Sequence, residues 1–175
     1  YKCYHKHEGS CLTHHLHTAY SIRDGRDSVK DLVKRTSELG YKRFIPTDHA
    51  SMASIYDTFK ESEKYGIKGG IGCEFYIVES TEKPTASQPH ITVIAQSDEG
   101  YKNMLKLSYL SAIKEDEGEL EGFKGSYGYK PHITEQSLLH FQKGLIVGSG
   151  CRKSIINDHF LKGNNEKALL LLDLF

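Results

Sequence analysis

The sequence predicts an α/β fold, because short apolar runs alternate with amphipathic segments along its 175 residues. The apolar runs, in chain order, cover residues 11–17, 43–49, 70–78, 90–95 and 144–151. The segments between them place apolar residues at helical spacing. Strands that alternate with helices favour a mostly parallel sheet, which is either an open doubly wound sheet or part of a barrel.

The boundaries of several elements can be justified from local chemistry. The predicted helices cover about 28–39, 52–65, 99–114, 134–143 and 167–175. Asp27 or Ser28 can cap the first helix, and Gly40 can end it. The stretch 81–89 is rich in turn-forming residues, and the polar, glycine-rich segment 115–129 is expected to be an exposed loop.

Composition narrows the function classes. The chain has 23 basic and 23 acidic residues, and this balance argues against a free-standing binder of duplex nucleic acid. No apolar run approaches the roughly 20 residues of a membrane helix, so no membrane partner is expected. The four cysteines form no C-x-x-C pair, which favours a reducing, cytoplasmic location.

The strongest local signal is the pair His15 and His17, followed by Asp24. Residues i and i+2 of a strand face the same side, so the two imidazoles can converge on one ion while His14 faces away. Asp24 lies in a loop that ends at Gly25, from which its carboxylate can bend back over the strand. The alternative interpretation is two ordinary strand histidines.

Each of the five apolar runs carries a metal-type ligand at or near one end. These residues are His15 with His17, His49, Glu74, His90 and Cys151. In a barrel, the carboxyl ends of the strands form one rim where side chains from different strands meet. His90 opens its run instead of closing it, so the pattern alone does not place it on that rim.

Several motifs together resemble a known family. H-x-H-T-x-Y-S-x-x-D-G, T-D-H, G-C-E, H-I-T-V-I-A and S-G-C occur in the order found in PHP (polymerase and histidinol phosphatase) domains. The linking segments 66–74, 99–108, 129–131 and 144–151 resemble bacterial DNA polymerase III alpha subunits over other PHP proteins. The resemblance extends from about residue 12 to residue 163.

The resemblance implies a distorted, seven-stranded, TIM-like β/α barrel with up to three divalent ions, zinc or manganese, on its rim. The ligands that it implies are His15, His17, Asp24, His49, Glu74, His90 and Cys151. Among these, Asp24, His49 and Glu74 are expected to be catalytic. The family has a further Asp-x-His pair, so residues 12–175 are expected to be an incomplete, N-terminal portion of the domain, after an extension at 1–11.

The expected function is that of a metal-dependent phosphoesterase within a DNA-directed DNA polymerase, acting as a 3′–5′ proofreading exonuclease. The implied partners are the 3′ end of primer DNA and other replisome subunits. One alternative is a metal-binding scaffold without nuclease activity. Another is a stand-alone phosphatase that acts on a small phosphate monoester.

Some residues keep two interpretations. Asp48 either orients His49 or another ligand from behind, or caps the helix that follows. Cys151 is either a metal-bound thiolate or a buried thiol. Arg23, Lys130 and Arg152 either contact substrate phosphate or are solvated surface cations.

The N-terminal segment carries a separate group of metal-type side chains, namely Cys3, His5, His7 and Cys11. This group suggests a zinc site, although its spacing matches no standard zinc finger. A flexible polar end is the alternative.

Overall fold

The computed structural model describes residues 15–22, 24–79, 88–128 and 130–174. Its helices are α1 (Val29–Glu38), α2 (Ile55–Lys64), α3 (Asp98–Ala112), α4 (Glu135–Phe141), α5 (Ile155–Leu161) and α6 (Asn165–Leu174). Its strands are β1 (Arg43–Phe44), β2 (Lys68–Gly69), β3 (Gly72–Val78), β4 (His90–Ala95), β5 (Glu119–Leu120), β6 (Phe123–Lys124), β7 (Ile133–Thr134) and β8 (Leu145–Gly148). The fold is mixed α/β, as the sequence predicts.

The predicted helices are present, and side-chain caps mark the start of α1, α3 and α4. The Ser28 hydroxyl accepts the backbone N–H of Asp31 at the start of α1. Gly40 follows that helix with a φ of +84°, a conformation that glycine adopts without strain. Helix α5 is an addition to the prediction, and the Ser154 side chain caps it by accepting the N–H of Asn157.

The central sheet has four strands in the order β7-β3-β4-β8. Within this sheet, strand β4 runs antiparallel to both β3 and β8, and β3 pairs in parallel with β7. The separate pair β1 and β2 is also parallel. The expectation of a mostly parallel sheet is therefore wrong for the central sheet. The connection from β3 to β4 is shorter than the dozen or more residues that a parallel crossover needs, so an antiparallel pair results.

The described strands form one sheet of four strands and two sheets of two. These sheets do not form a closed, seven-stranded barrel, so that strand count stays a prediction. Of the first predicted strand, residues 11–14 lie outside the described residues, and residues 15–17 are not in a regular strand. The N-terminal extension, 1–11, also lies outside the described residues.

Backbone hydrogen bonds nevertheless align the segments that carry the predicted ligands. Thr47 donates its N–H to the carbonyl of Leu16 at 2.8 Å. On the other side, Glu74 donates to the carbonyl of Asp48 at 3.0 Å, and Ala50 donates to the carbonyl of Glu74 at 2.8 Å. The segment around Thr47 therefore lies between residues 15–17 and strand β3.

Alternation along β3 separates the core from the polar face. Cys73, Phe75 and Ile77 are buried in the main hydrophobic core, together with apolar residues of β4, α3 and α4. Glu74 and Tyr76 therefore project from the opposite face of the strand. A close-packed core beneath the strand holds this polar face in place.

None of the described helices is both long enough and apolar enough to cross a membrane.

Two leucines of α3 provide a matched test of the packing. Leu107 is fully buried in the core, whereas Leu105, on the same helix, is 44% exposed. Leu107→Ala is expected to lower the free energy of unfolding by about 2–5 kcal/mol, because it leaves a cavity. Leu105→Ala should cost less than about 1 kcal/mol. Chemical denaturation of both variants checks the difference, and equal losses would contradict the packing described.

Candidate metal centre

A buried carboxylate, Glu74, lies at the centre of a cluster of imidazoles. One of its oxygens contacts Nε2 of His15 and lies 3.2 Å from Nε2 of His17. The other oxygen lies 3.2 Å from Nδ1 of His49 and 3.4 Å from Nδ1 of His90. Glu74 is only 1% exposed, so these four rings replace its contact with water.

A second carboxylate, Asp24, closes the more exposed side of the cluster. Its Oδ2 lies 2.9 Å from Nε2 of His49 and 3.7 Å from Nε2 of His17. The cluster contains two groups whose ligand atoms are close enough to share an ion. His15, His17 and Glu74 form one group, and His17, Asp24 and His49 form the other. Both groups include His17, so the two positions adjoin.

Strand direction explains why these residues meet. Because β4 runs antiparallel to β3, the start of β4 lies beside the end of β3, with His90 opposite Tyr76. His90 therefore reaches the same edge as Glu74, although it opens its strand. Strand β8 is antiparallel to β4, so its carboxyl end and the following Cys151 return to that edge.

Asp48 holds the loop that carries the ligands. Its buried carboxylate accepts hydrogen bonds from the backbone N–H and hydroxyl of Thr18, from the Ser21 hydroxyl and from the Ser54 hydroxyl. Ser21 in turn accepts the backbone N–H of His49 at 3.1 Å. The Ser21 hydroxyl also lies 3.4 Å from Nδ1 of His17, so Asp48 acts on both His17 and His49 through Ser21 and not by direct contact with an imidazole.

Gly25 fixes the path of the loop behind Asp24. A Cβ atom at this position would lie 1.6 Å from the carbonyl oxygen of Thr18, so only glycine fits. The Gly25 N–H donates to the carbonyl of Ser21 at 2.8 Å. This close approach folds Asp24 back over the histidines, as the spacing of the motif predicts.

The cluster shifts the pKa values of its members in opposite directions. Burial raises the pKa of Glu74, but the adjacent imidazoles of His17, His49 and His90 outweigh it, so the pKa is lowered overall. The close approach of the Glu74 carboxylate raises the pKa of His49, although burial opposes it. Burial lowers the pKa of His90, which keeps that ring neutral near pH 7 and able to bind a metal ion.

Three buried atoms at this site have no hydrogen-bond partner: Oε1 of Glu74, Nδ1 of His49 and Nδ1 of His90. Unpaired buried polar atoms are costly in proteins, and here all three converge. Two ligand atoms about 2.1 Å from one ion lie roughly 3.4 Å apart at tetrahedral angles. The observed spacings of 3.2 and 3.4 Å fit this requirement, so the residues suit a divalent metal ion.

Comparison with known proteins agrees with this chemistry. Residues 13–174 match the family model of the PHP domain. The chain belongs to the PHP domain family. It is similar to DNA polymerase III subunit alpha of Helicobacter pylori, with 38% identity over 91% of this chain and 13% of the relative. It is also similar to the same subunit of Aquifex aeolicus, with 33% identity over 81% of this chain and 12% of the relative.

A putative metal-dependent phosphoesterase from Bifidobacterium adolescentis gives a weaker structural match to this PHP domain. The two share 15% identity, with a TM-score of 0.49, over 91% of this chain and 81% of the other. This identity and this TM-score are too low to bear on the chemistry of the PHP domain. The ligand geometry is the direct observation.

A cavity of about 570 Å³ opens onto the metal-type ligands of the PHP domain. All seven predicted ligands line it, and six of them are within 4 Å of another member. The seventh, Cys151, lies in the wall with an exposed thiol, so the alternative of a buried thiol is wrong. Arg152 also lines the cavity, whereas Arg23 lies outside the described residues.

Tyr76, Gln88 and Lys153 also line this cavity, and the sequence motifs did not single them out. Tyr76 is two residues beyond Glu74, so strand periodicity places both on one face and was a usable signal. Gln88 and Lys153 are outside the regular strands, where periodicity gives no such signal.

A third cluster of metal-type residues lies elsewhere in the domain, formed by Glu79, Glu135 and His159. The Lys167 ammonium group lies 2.9 Å from Glu79 and 3.3 Å from Glu135. Its positive charge already neutralises these carboxylates, which makes this cluster a salt-bridge network.

Replacing two ligands should reduce the metal content. His15→Ala combined with His17→Ala is expected to remove at least one bound ion per chain, because it deletes both imidazoles that contact one oxygen of Glu74. His140→Ala is the matched control, since this histidine is exposed and pairs with Glu121 away from the cavity. Elemental analysis of the purified full-length proteins checks this, and equal metal content would contradict the assignment.

Ion binding should weaken as the pH falls, because protons compete for the imidazole lone pairs. The pKa of His49 is raised, so this competition begins above the ordinary imidazole value of about 6.5. In the metal-free protein, the same pairing with Glu74 stabilises the fold at low pH, and this stabilisation is lost as the pH rises through the raised pKa.

Titration of metal-stripped protein with manganese or zinc at pH 7.5 and pH 5.5, against a competing chelator dye, measures the effect on ion binding. A dissociation constant that does not change between these pH values would contradict imidazole ligation.

Proposed function

We propose that this PHP domain hydrolyses phosphodiesters with divalent metal ions and acts as a 3′–5′ exonuclease. The observation that supports the proposal most directly is the convergence of unpaired ligand atoms around Glu74. The similarity to DNA polymerase III subunits alpha supports a DNA substrate.

The chain spans about 13% of the length of the Helicobacter pylori relative. Its place in a cytoplasmic DNA-directed DNA polymerase, the 3′ primer end as its substrate and its contacts with replisome subunits are therefore part of this proposal. The neutral charge balance suits an arrangement in which neighbouring domains deliver the DNA.

In this proposal, the metal ions would activate water and stabilise charge, and the protein would hold the ions in place. Divalent ions held by these residues would lower the pKa of a bound water from about 15.7 towards 7 and would neutralise charge on the phosphate. Asp24, His49 and Glu74 would fix the geometry, because Glu74 belongs to one ligand group and Asp24 and His49 belong to the other. No side-chain nucleophile is required, because the attacking group would be a metal-bound water.

The donor set narrows the choice of metal. Imidazole nitrogens and carboxylate oxygens together suit zinc or manganese, and a thiolate from Cys151 would favour zinc at its ion. Glu74 offers one oxygen to each pair of imidazoles, so its carboxylate is suited to bridge two ions.

Hydrolysis should depend on the ligand cluster. The full-length protein, given a 3′-mismatched primer with manganese or zinc, is expected to remove the mismatched nucleotide. His15→Ala combined with His17→Ala should lower the rate at least about 100-fold, since loss of metal removes several kcal/mol of transition-state stabilisation. His140→Ala should keep the wild-type rate, and denaturing electrophoresis of the primer measures all three.

Equal trimming by the wild type and the double variant would contradict the proposal. The scaffold alternative is favoured by a separate observation: the ligands tie together residues 15–17, Asp24, His49, β3 and β4. Under that alternative, chelation lowers the melting temperature and polymerase activity, and no cleavage occurs with either metal.

A further inference from the structure

Lys130 lies at the wall of the metal cavity, next to an aromatic ring. Its ammonium nitrogen lies 4.4 Å from the centroid of the Tyr76 ring, which is a cation–π distance. The Tyr76 ring is stacked on the ring of His49 at 5.8 Å and meets that of His90 at 5.5 Å. One ring therefore separates the ammonium group from the proposed ligands.

Several lysines of the described part of the domain are already engaged by a carboxylate. Lys106, Lys124 and Lys143 each pair with a glutamate. Lys130 is half-buried, and no carboxylate among the described residues forms an ion pair with it. A partly buried cation without an anionic partner retains the capacity to bind an anion that enters the cavity.

The backbone at Lys130 is held in place from the opposite side. Nδ1 of His132 donates to the carbonyl oxygen of Lys130 at 3.0 Å. His132 is only 1% exposed, and burial lowers its pKa, which favours a neutral ring that donates from Nδ1. Lys130 thus has a contact at each end, with His132 at its backbone carbonyl and with Tyr76 at its ammonium group.

The charges around the cavity favour an anionic ligand on this side. Lys130 and the consecutive residues Arg152 and Lys153 come from two separate segments and all line the cavity. Asp24 and Glu74, the carboxylates of the same cavity, are engaged by imidazoles.

We propose that Lys130 binds a non-bridging oxygen of the substrate phosphate and that the Tyr76 ring positions its ammonium group for this contact. This inference rests on the proposed phosphodiesterase function. Lys130 is a substrate-binding residue in this scheme, and Tyr76 is a positioning residue. Neither is among the predicted ligands, so changing Lys130 should leave the metal content unchanged.

The test compares Lys130→Ala, Lys130→Arg and the control Lys102→Ala in the full-length, metal-loaded protein. Lys102 is an exposed residue of α3 outside the cavity. Lys130→Ala is expected to raise KM for the 3′-mismatched primer at least tenfold, with kcat within threefold of the wild type. Lys130→Arg should stay within threefold in both, because arginine keeps the charge and also stacks on aromatic rings. A KM for Lys130→Ala that equals that of Lys102→Ala would overturn the proposal.

The ring is tested separately by Tyr76→Phe and Tyr76→Leu. Phenylalanine keeps the cation–π contact and should keep the wild-type KM, whereas leucine should raise KM by threefold or more. Equal KM values for these two variants would remove Tyr76 from the scheme.

Direct binding of inorganic phosphate separates this inference from the proposed function. If the wild type cleaves no primer, the phosphodiesterase proposal fails, but calorimetric titration with phosphate still tests Lys130. Binding that is at least tenfold weaker in Lys130→Ala, at unchanged metal content, supports the contact. Equal binding by the wild type and Lys130→Ala overturns it.

Discussion

The arrangement of the domain depends on a carboxylate that is buried with four imidazoles around it. A buried charge without partners would be strongly destabilising, so Glu74 requires groups that neutralise it. These groups come from residues 15–17, His49 and the start of β4, which are distant in sequence. The need to satisfy one carboxylate thus brings the functional segments together.

The hydrophobic core positions some of the ligand-type side chains, and hydrogen bonds within the loops position the others. The core side of β3 fixes the strand, and therefore the direction of Glu74 and Tyr76. Asp48 and Ser21 fix the irregular loop that carries His17 and Asp24, where no regular strand is available to do so. An irregular segment of backbone can in this way present ligands from fixed positions.

The sequence predicted five of the six described helices, because these depend on local periodicity. The meeting of the ligand-type side chains was expected from the strand ends and from the resemblance to PHP domains. The sequence did not predict strand direction, since β4 carries the same apolar pattern whichever way it runs. The uncertainty about His90 came from assuming parallel strands, and the antiparallel pairing removes it. Lys130 and Tyr76 meet only through tertiary packing, so no motif links them.

The geometry of His49 has a consequence for proton placement. A neutral imidazole has one lone pair, so its two nitrogens cannot both act as ligands. Nδ1 faces Glu74 without a hydrogen bond, while Nε2 lies 2.9 Å from Asp24. If Nδ1 coordinates an ion, Nε2 carries the hydrogen and Asp24 is its acceptor. The tautomer of one ring then couples the outer carboxylate to the inner site, because the acceptor at Nε2 affects the basicity of Nδ1 inside the cluster.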